Sequence, residues 1–121
     1  MPLVLIVDDS PTEVHVLQQF LEKNGFETAA ADNGADGIAK ARELKPDLVL
    51  MDVVMPGTNG FQATRELSKN PETAGIPVVM VTTKDQETDR IWGMRQGAVE
   101  YLTKPVTESV LVEKVRAVLG A

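Results

Sequence analysis

The sequence contains no cysteine and a single histidine, His15, among its 121 residues. Without cysteine there is no disulfide framework and no thiolate nucleophile, and one histidine cannot build an imidazole-rich zinc site. No apolar run approaches the roughly 20 residues that cross a membrane. The first residues also lack the charged segment, apolar stretch and small-residue cleavage site of a secretory signal. We therefore expect a soluble, cytoplasmic protein with no membrane insertion.

Basic residues are also scarce. The chain has 12 Lys and Arg but 18 Asp and Glu, which gives a formal net charge of −6. Binding nucleic acid through its phosphates needs a basic face, so we expect no nucleic-acid partner. A chain of 121 residues, 43% of them hydrophobic, is large enough for one core. We expect residues 1–121 to form a single domain, monomeric and without an output domain.

Short apolar runs and helical patterns alternate along the chain. Three runs are apolar at every position and too short for helices: Leu3–Val7, Leu48–Met51 and Val78–Val81. Such runs are typical of strands buried on both faces of a parallel sheet. Two runs of mixed composition, Glu27–Ala31 and Glu100–Thr103, fit edge strands.

Helical patterns fill the gaps between these strands. Ser10, Pro11 and Glu13 predict a capping box at the start of the first helix, with Glu13 reaching back to Ser10. Further helices are expected from about Gly34 to Leu44, after Asn59, after Asp85 and after Thr107. In the fourth helix, Ile91, Met94 and Ala98 are predicted to form the buried stripe.

Five strands alternating with five helices predict an α/β fold whose strands pair in parallel through right-handed crossovers. The first, third and fourth strands are the buried ones, and the second and fifth belong at the edges. The flavodoxin-like (βα)5 arrangement, a doubly wound sheet of strand order 2-1-3-4-5, satisfies both conditions. In that topology, ligands bind at the carboxyl ends of strands 1 and 3.

Polar residues follow the predicted strands at these carboxyl ends: Asp8 and Asp9, Asp52, Thr82, and Lys104. Three crowded carboxylates repel one another by about 4 kcal/mol per pair at ~4 Å in an effective dielectric of about 20, so they need a cation. An all-oxygen site suits Mg²⁺, which completes its shell with water and phosphate oxygens. A carboxylate nucleophile, a divalent metal, a lysine and a hydroxyl are the parts that hold a phosphoryl group during transfer.

Motifs around these residues resemble the CheY-like receiver domain of two-component response regulators. They are Val7-Asp8-Asp9, Leu50-Met51-Asp52, Met55-Pro56-Gly57, Asn59-Gly60, Val81-Thr82 and Tyr101-Leu102-Thr103-Lys104-Pro105. The stretches Asp9–Glu13 and Thr82–Gly93 further resemble the stand-alone regulators of type IV pilus, twitching-motility chemosensory pathways. The resemblance extends over essentially the whole chain.

The resemblance implies that Asp52 accepts a phosphoryl group from the phosphohistidine of a CheA-like histidine kinase. It implies Mg²⁺ bound by Asp9, Asp52 and the main-chain carbonyl of Val54, with Asp8 acting through water. Lys104 would pair with the phosphoryl oxygens, and its peptide bond to Pro105 would be cis. The chain would then be a signalling receiver rather than an enzyme, catalysing only its own phosphoryl transfer and autodephosphorylation.

The same resemblance implies a switch. The Thr82 hydroxyl would move to the phosphoryl group and the Tyr101 ring would turn inward. The face that binds the downstream partner would consist of the fourth helix, the fifth strand and the fifth helix. Val54 and Lys84 border the attacking water in receivers, and they leave the lifetime of the phosphorylated form open.

Three other interpretations remain. The chain could drain phosphate from a shared kinase rather than drive a target. An aspartate-nucleophile phosphohydrolase would also use Mg²⁺, but it typically places two acids as D-x-D after one strand, whereas Asp8 and Asp9 are adjacent and Asp52 follows another strand. A binding module independent of phosphorylation would not need the complete set of acids, hydroxyl and lysine. A dinucleotide-binding enzyme is disfavoured because G-x-G-x-x-G is absent after the first strand.

Overall fold

Strands and helices alternate strictly along the chain in the computed structural model, which describes residues 1–120. The elements are β1 (Leu3–Val7), α1 (Pro11–Lys23), β2 (Glu27–Ala31), α2 (Gly34–Leu44), β3 (Leu48–Met51), α3 (Gly60–Lys69), β4 (Val78–Thr82), α4 (Glu87–Arg95), β5 (Glu100–Thr103) and α5 (Glu108–Leu119). All strands pair in parallel in the order β2-β1-β3-β4-β5. The predicted flavodoxin-like fold is therefore confirmed, with β4 one residue longer than expected because Thr82 pairs with Thr103.

The central strands are buried on both faces because successive side chains point to opposite sides of the sheet. On one side, Val4 and Ile6 of β1 join a cluster that includes Leu21 of α1 and Leu111 of α5. On the other side, β1 contributes Leu5 and Val7 to a second cluster with residues of α2 and α3. This two-sided burial fixes the register of β1, since a slip of one residue would exchange the two faces.

The five helices are short. The longest, α1, has 13 residues. Within residues 1–120, no helix is both long enough and apolar enough to cross a membrane.

The start of α1 differs from the predicted capping box. The Ser10 hydroxyl accepts a hydrogen bond from the Glu13 backbone N–H at 3.4 Å, as expected. The Ser10 backbone N–H, however, donates to Asp8 Oδ1 at 2.9 Å, so this donor is already satisfied without Glu13. The Glu13 carboxylate instead lies 3.8 Å from the Lys104 ammonium. The reciprocal half of the predicted box is wrong because Asp8 competes for the same donor.

The buried face of α4 also differs from the prediction. Ile91 and Met94 are 45% and 37% exposed, and the buried residue of this helix is Gly93. A Cβ atom at position 93 would lie 2.7 Å from the Met80 sulfur, so the backbone of α4 lies directly against the sheet. Glycine inside a helix costs about 1 kcal/mol relative to alanine, and here the close approach explains its presence. Of the predicted stripe only Ala98 is buried, and it lies beyond the end of α4.

Candidate functional site

Three carboxylates meet at the carboxyl edge of β1 and β3. Oxygen atoms of Asp8, Asp9 and Asp52 all lie within 4.8 Å of one another. Val7 and Met51 are paired in register, and the Asp52 backbone N–H donates to the Val7 carbonyl at 2.9 Å. Asp8 and Asp52 are buried, whereas Asp9 is exposed. The fold thus brings together the three acids that the sequence predicted at this edge.

Lys104 lies among these acids. Its Nζ atom is 2.7 Å from Asp8 Oδ2 and 3.4 Å from Asp52 Oδ2. The Lys104 side chain is only 8% exposed, and its backbone N–H donates to the Thr82 carbonyl at 2.8 Å. The peptide bond between Lys104 and Pro105 is cis, as expected. The end of β5 therefore brings a single ammonium group to the carboxylates.

The ionisation of the site reflects burial and the neighbouring charges. Burial raises the pKa of Asp52, the Lys104 charge lowers it and the Asp8 charge raises it, and the net shift is upward. Burial alone would lower the pKa of Lys104, but its hydrogen bond to Asp8 and the charges of Asp52, Asp8 and Glu13 together raise it. The ammonium form of Lys104 is therefore stabilised, and Asp52 is more basic than an ordinary aspartate.

Gly60 fixes the backbone next to Asp52. A side chain at Gly60 would collide with the Asp52 carbonyl oxygen, and the Gly60 N–H donates to the Val53 carbonyl at 2.9 Å. The Val53 N–H in turn donates to Asp52 Oδ1 at 2.7 Å. The sequence indicated Gly60 only as a turn residue after the helix cap Asn59. A glycine directly after a helix cap was the one sequence feature that pointed to a close approach between the start of α3 and the backbone after β3.

Thr82 and Tyr101 both contact the backbone of Lys84. Thr82 is fully buried, and its hydroxyl oxygen accepts a hydrogen bond from the Lys84 N–H at 3.3 Å. The Tyr101 ring is buried, and its hydroxyl donates to the Lys84 carbonyl at 2.8 Å. Burial, followed by the charge of Asp89, raises the pKa of Tyr101 to about 12. The two residues of the predicted switch pair are thus joined through one loop residue, and the Tyr101 ring already occupies the inward position that the resemblance implies for the switched form.

The donor set fits a hard divalent cation. All available ligands in the cluster are carboxylate oxygens, which are the donors that Mg²⁺ prefers. Asp9 faces solvent, where an ion could keep several of its waters. Val54, two residues after Asp52 in the sequence, is also exposed. The cluster carries more negative charge than Lys104 alone can balance.

A five-stranded parallel sheet of this order, with clustered acids at the carboxyl edge of β1 and β3, defines a class of protein. The chain matches the response regulator receiver domain family over residues 4–116, and it belongs to this family of signalling proteins. Membership implies two kinds of partner, a kinase and a downstream target. The chain is 62% identical over 120 residues to the protein PilH of Pseudomonas aeruginosa PAO1, and the alignment covers 99% of each chain.

Solved structures agree with this assignment. The chemotaxis protein CheY4 of Vibrio cholerae matches with a TM-score of 0.92 and 29% identity over 98% of each chain. The receiver domain of the sensor histidine kinase PA1611 of P. aeruginosa PAO1 matches with a TM-score of 0.91 and 25% identity, covering 99% of this chain and 98% of the other. That structure has magnesium coordinated in its active-site cleft. Some curated relatives are longer: the chain spans 25% of the response regulator PleD of Caulobacter vibrioides and 49% of the DNA-binding response regulator MtrA of Mycolicibacterium smegmatis.

Proposed function

We propose that this chain is a phosphorylated signalling receiver in which Asp52 is the phosphoacceptor. A carboxylate oxygen of Asp52 attacks the phosphorus of a kinase phosphohistidine. The P–N bond breaks as the new P–O bond forms, and the imidazole leaves with the electron pair and takes up a proton. The products are an aspartyl phosphate and a neutral histidine.

The observation that carries this proposal is the contact between Asp52 and Lys104 inside the acidic cluster. The raised pKa makes the Asp52 carboxylate a better nucleophile, while the ammonium 3.4 Å away favours its ionised form. Lys104 is thus close enough to pair with the oxygens of an incoming phosphoryl group. The Thr82 hydroxyl, which also lowers the pKa of Asp52, can donate to a second oxygen.

Asp9, Asp52 and the main-chain carbonyl of Val54 would hold Mg²⁺, with Asp8 acting through water. The ion would supply positive charge to the phosphoryl oxygens during transfer. Asp8 also keeps Lys104 in place, since it is buried and accepts hydrogen bonds from both Lys104 and Ser10.

Phosphorylation would be read at the face formed by α4, β5 and α5. An aspartyl phosphate carries about −1.5 to −2 charge, and it can shift the conformational equilibrium only through unequal interactions with the two states. Thr82 and Tyr101 are suited to transmit this difference because both hold Lys84. Large exposed apolar side chains lie on or beside α4 and on α5, as expected for a protein-binding surface. They are Ile91, Trp92, Met94, Val99 and Val110.

Similarity to known proteins supports a proposal for the pathway. The motifs shared with stand-alone regulators of twitching motility, together with 62% identity to PilH, support a role in a type IV pilus chemosensory pathway. The phosphodonor would be a CheA-like histidine kinase. The chain would either bind a downstream target when phosphorylated or drain phosphate from the shared kinase.

The test is phosphorylation with acetyl phosphate and Mg²⁺, followed by intact mass measurement. The wild type should gain the mass of one phosphoryl group, whereas Asp52→Asn should not. Asp47→Asn, which makes the same change at an exposed acid before β3, at the edge of the sheet opposite Asp52, is the matched control and should gain the group normally. An Asp52→Asn variant that gains the same phosphate would overturn the assignment. Multiple-turnover hydrolysis of small phosphomonoesters would instead favour a phosphohydrolase.

A further inference from the structure

Helix α4 meets the sheet at a position with no side chain. Gly93 is buried in the last turn of this helix. A Cβ atom there would lie 2.7 Å from the Met80 sulfur and 3.2 Å from Cδ2 and Cε2 of the Tyr101 ring. These distances are shorter than ordinary van der Waals contact. The α4 backbone at Gly93 therefore occupies the place where a side chain would otherwise stand.

The Tyr101 ring fills the space beneath this glycine. The ring is 6% exposed and belongs to a small cluster with Val53, Met80 and Ala98. From there its hydroxyl reaches the Lys84 carbonyl at 2.8 Å in the loop that precedes α4. A side chain at position 93 and a buried ring at position 101 would compete for one volume.

Helix α4 also makes polar contacts near the ring. The Arg90 guanidinium lies 3.5 Å from the Tyr101 carbonyl and 4.0 Å from the Glu100 carboxylate. The Lys84 ammonium lies 3.9 Å from Asp89 at the start of the helix. Long ion pairs between partly exposed side chains contribute little to stability. The close approach of Gly93 to Met80 and Tyr101 is therefore the contact most able to position α4 relative to the ring.

We propose that Gly93 is a positioning residue for the switch. Because it lacks a side chain, it leaves the room in which Tyr101 can be buried and hydrogen-bonded to Lys84, and it couples the position of α4 to that ring. A larger residue at position 93 would displace the ring towards solvent or lift α4 from the sheet. This inference rests on the proposed function only in treating Tyr101 as part of the switch.

The composition of the chain allows a direct test, because it contains one tyrosine and one tryptophan. Phenol absorbance therefore reports Tyr101 alone, and indole fluorescence reports Trp92, the neighbour of Gly93. In the wild type, burial holds the pKa of Tyr101 at about 12 rather than at its ordinary 10.0. The charges of Asp89, Asp52 and Asp85 add to the effect of burial on this pKa.

The variants are Gly93→Ala and Gly93→Leu, with Gly75→Ala as the matched control because a Cβ there meets nothing within 4 Å. We expect the phenol pKa to fall towards 10, partly in the alanine variant and further in the leucine variant. Trp92 emission should change in parallel. The Gly75→Ala protein should titrate like the wild type. Alanine favours the helix more than glycine does, so Gly93→Ala should fold even if Gly93→Leu does not.

A folded Gly93→Ala protein that titrates as the wild type does, with unchanged Trp92 emission, would overturn the proposal. These measurements need neither Mg²⁺ nor a phosphodonor, so their failure is separate from failure of the proposed function. If Asp52 is not phosphorylated, the titration shift is still expected. If the shift is absent, phosphorylation of Asp52 can still be detected by mass.

Discussion

The Lys104 ammonium lies nearer to Asp8 than to Asp52, at 2.7 Å from one carboxylate and 3.4 Å from the other. The shorter ion pair is thus with the acid that we do not propose as phosphoacceptor. Lys104 is 8% exposed and Asp8 only 2%, so this pair is weakly screened by solvent. Lys104 therefore both stabilises the acidic cluster and competes with a cation for it.

Replacing Lys104 should have opposite effects on metal binding and phosphorylation. In Lys104→Ala we expect Mg²⁺ to bind at least several-fold more tightly, because a charge at ~4 Å contributes about 1 to 4 kcal/mol depending on the local dielectric. Phosphorylation by acetyl phosphate should slow, since the phosphoryl oxygens lose a cationic partner. Calorimetric titration and intact mass measurement give the two results. Lys114→Ala, at a partly exposed lysine paired with Glu100, is the control and should change neither.

Asp8 and Asp9 are adjacent but should respond differently to removal. Asp9 is a proposed Mg²⁺ ligand, so Asp9→Ala should greatly weaken Mg²⁺ binding. Because Asp9 is exposed, the free energy of unfolding should be nearly unchanged. Asp8 is buried and accepts from Ser10 and Lys104, so Asp8→Ala should destabilise the fold by about 1–3 kcal/mol. Mg²⁺ titration and urea denaturation separate the two effects. Equal Mg²⁺ affinity in wild type and Asp9→Ala would contradict the proposed ligand set.

Gly60 should tolerate no side chain. In Gly60→Ala the new methyl group would meet the Asp52 carbonyl, a backbone atom that cannot turn aside. We expect a loss of about 3 kcal/mol in the free energy of unfolding, at the upper end for overpacking, and slower phosphorylation of Asp52. Urea denaturation and the acetyl phosphate assay measure these. Gly75→Ala offers the same change in open space and should be close to wild type in both.

Much of the fold could be predicted because its central strands carry an unambiguous pattern. Leu3–Val7 and Leu48–Met51 are apolar at every position, and only strands covered on both sides need that composition. Once these strands were central, the parallel topology determined that Asp8 and Asp52 would share one edge. The positions of the acids thus followed from strand ends alone.

Contacts between distant segments could not be predicted in the same way. The periodicity of α4 pointed to Ile91 and Met94, but the helix is buried at Gly93 because its backbone lies against Tyr101, which comes later in the chain. Glu13 was expected to cap α1, but Asp8 takes the Ser10 donor instead. Each error came from local reasoning about a group whose partner is set by the tertiary fold.

Stability at alkaline pH should depend on Tyr101. The pKa of the Tyr101 hydroxyl is about 12 in the folded protein, whereas in the unfolded chain it takes its ordinary value of 10.0. The unfolded chain therefore loses the phenol proton first as the pH rises. The stabilisation from the buried neutral phenol is complete below pH 10 and is lost between pH 10 and 12. In Tyr101→Phe this loss should disappear, and at neutral pH the missing hydrogen bond to Lys84 should cost about 0.5–1.5 kcal/mol. Urea denaturation of both proteins from pH 8 to 12 tests this, since every pH effect that the two proteins share cancels in the difference. Parallel curves would contradict it.

Amide hydrogen exchange should show that α4 is the least firmly held part of the proposed output face. Helix α3 buries Ala63, Thr64 and Leu67 besides its first residue, whereas α4 buries Gly93 alone. A helix with so little buried apolar surface opens locally at a small free-energy cost, so its amides should exchange faster than those of α3 and α5. Exchange followed by mass spectrometry or NMR at constant pH gives the comparison within one sample. Protection of α4 equal to that of α3 would mean that contacts other than Gly93 anchor the helix. Faster exchange would make α4 the element of the face that phosphorylation can move most readily.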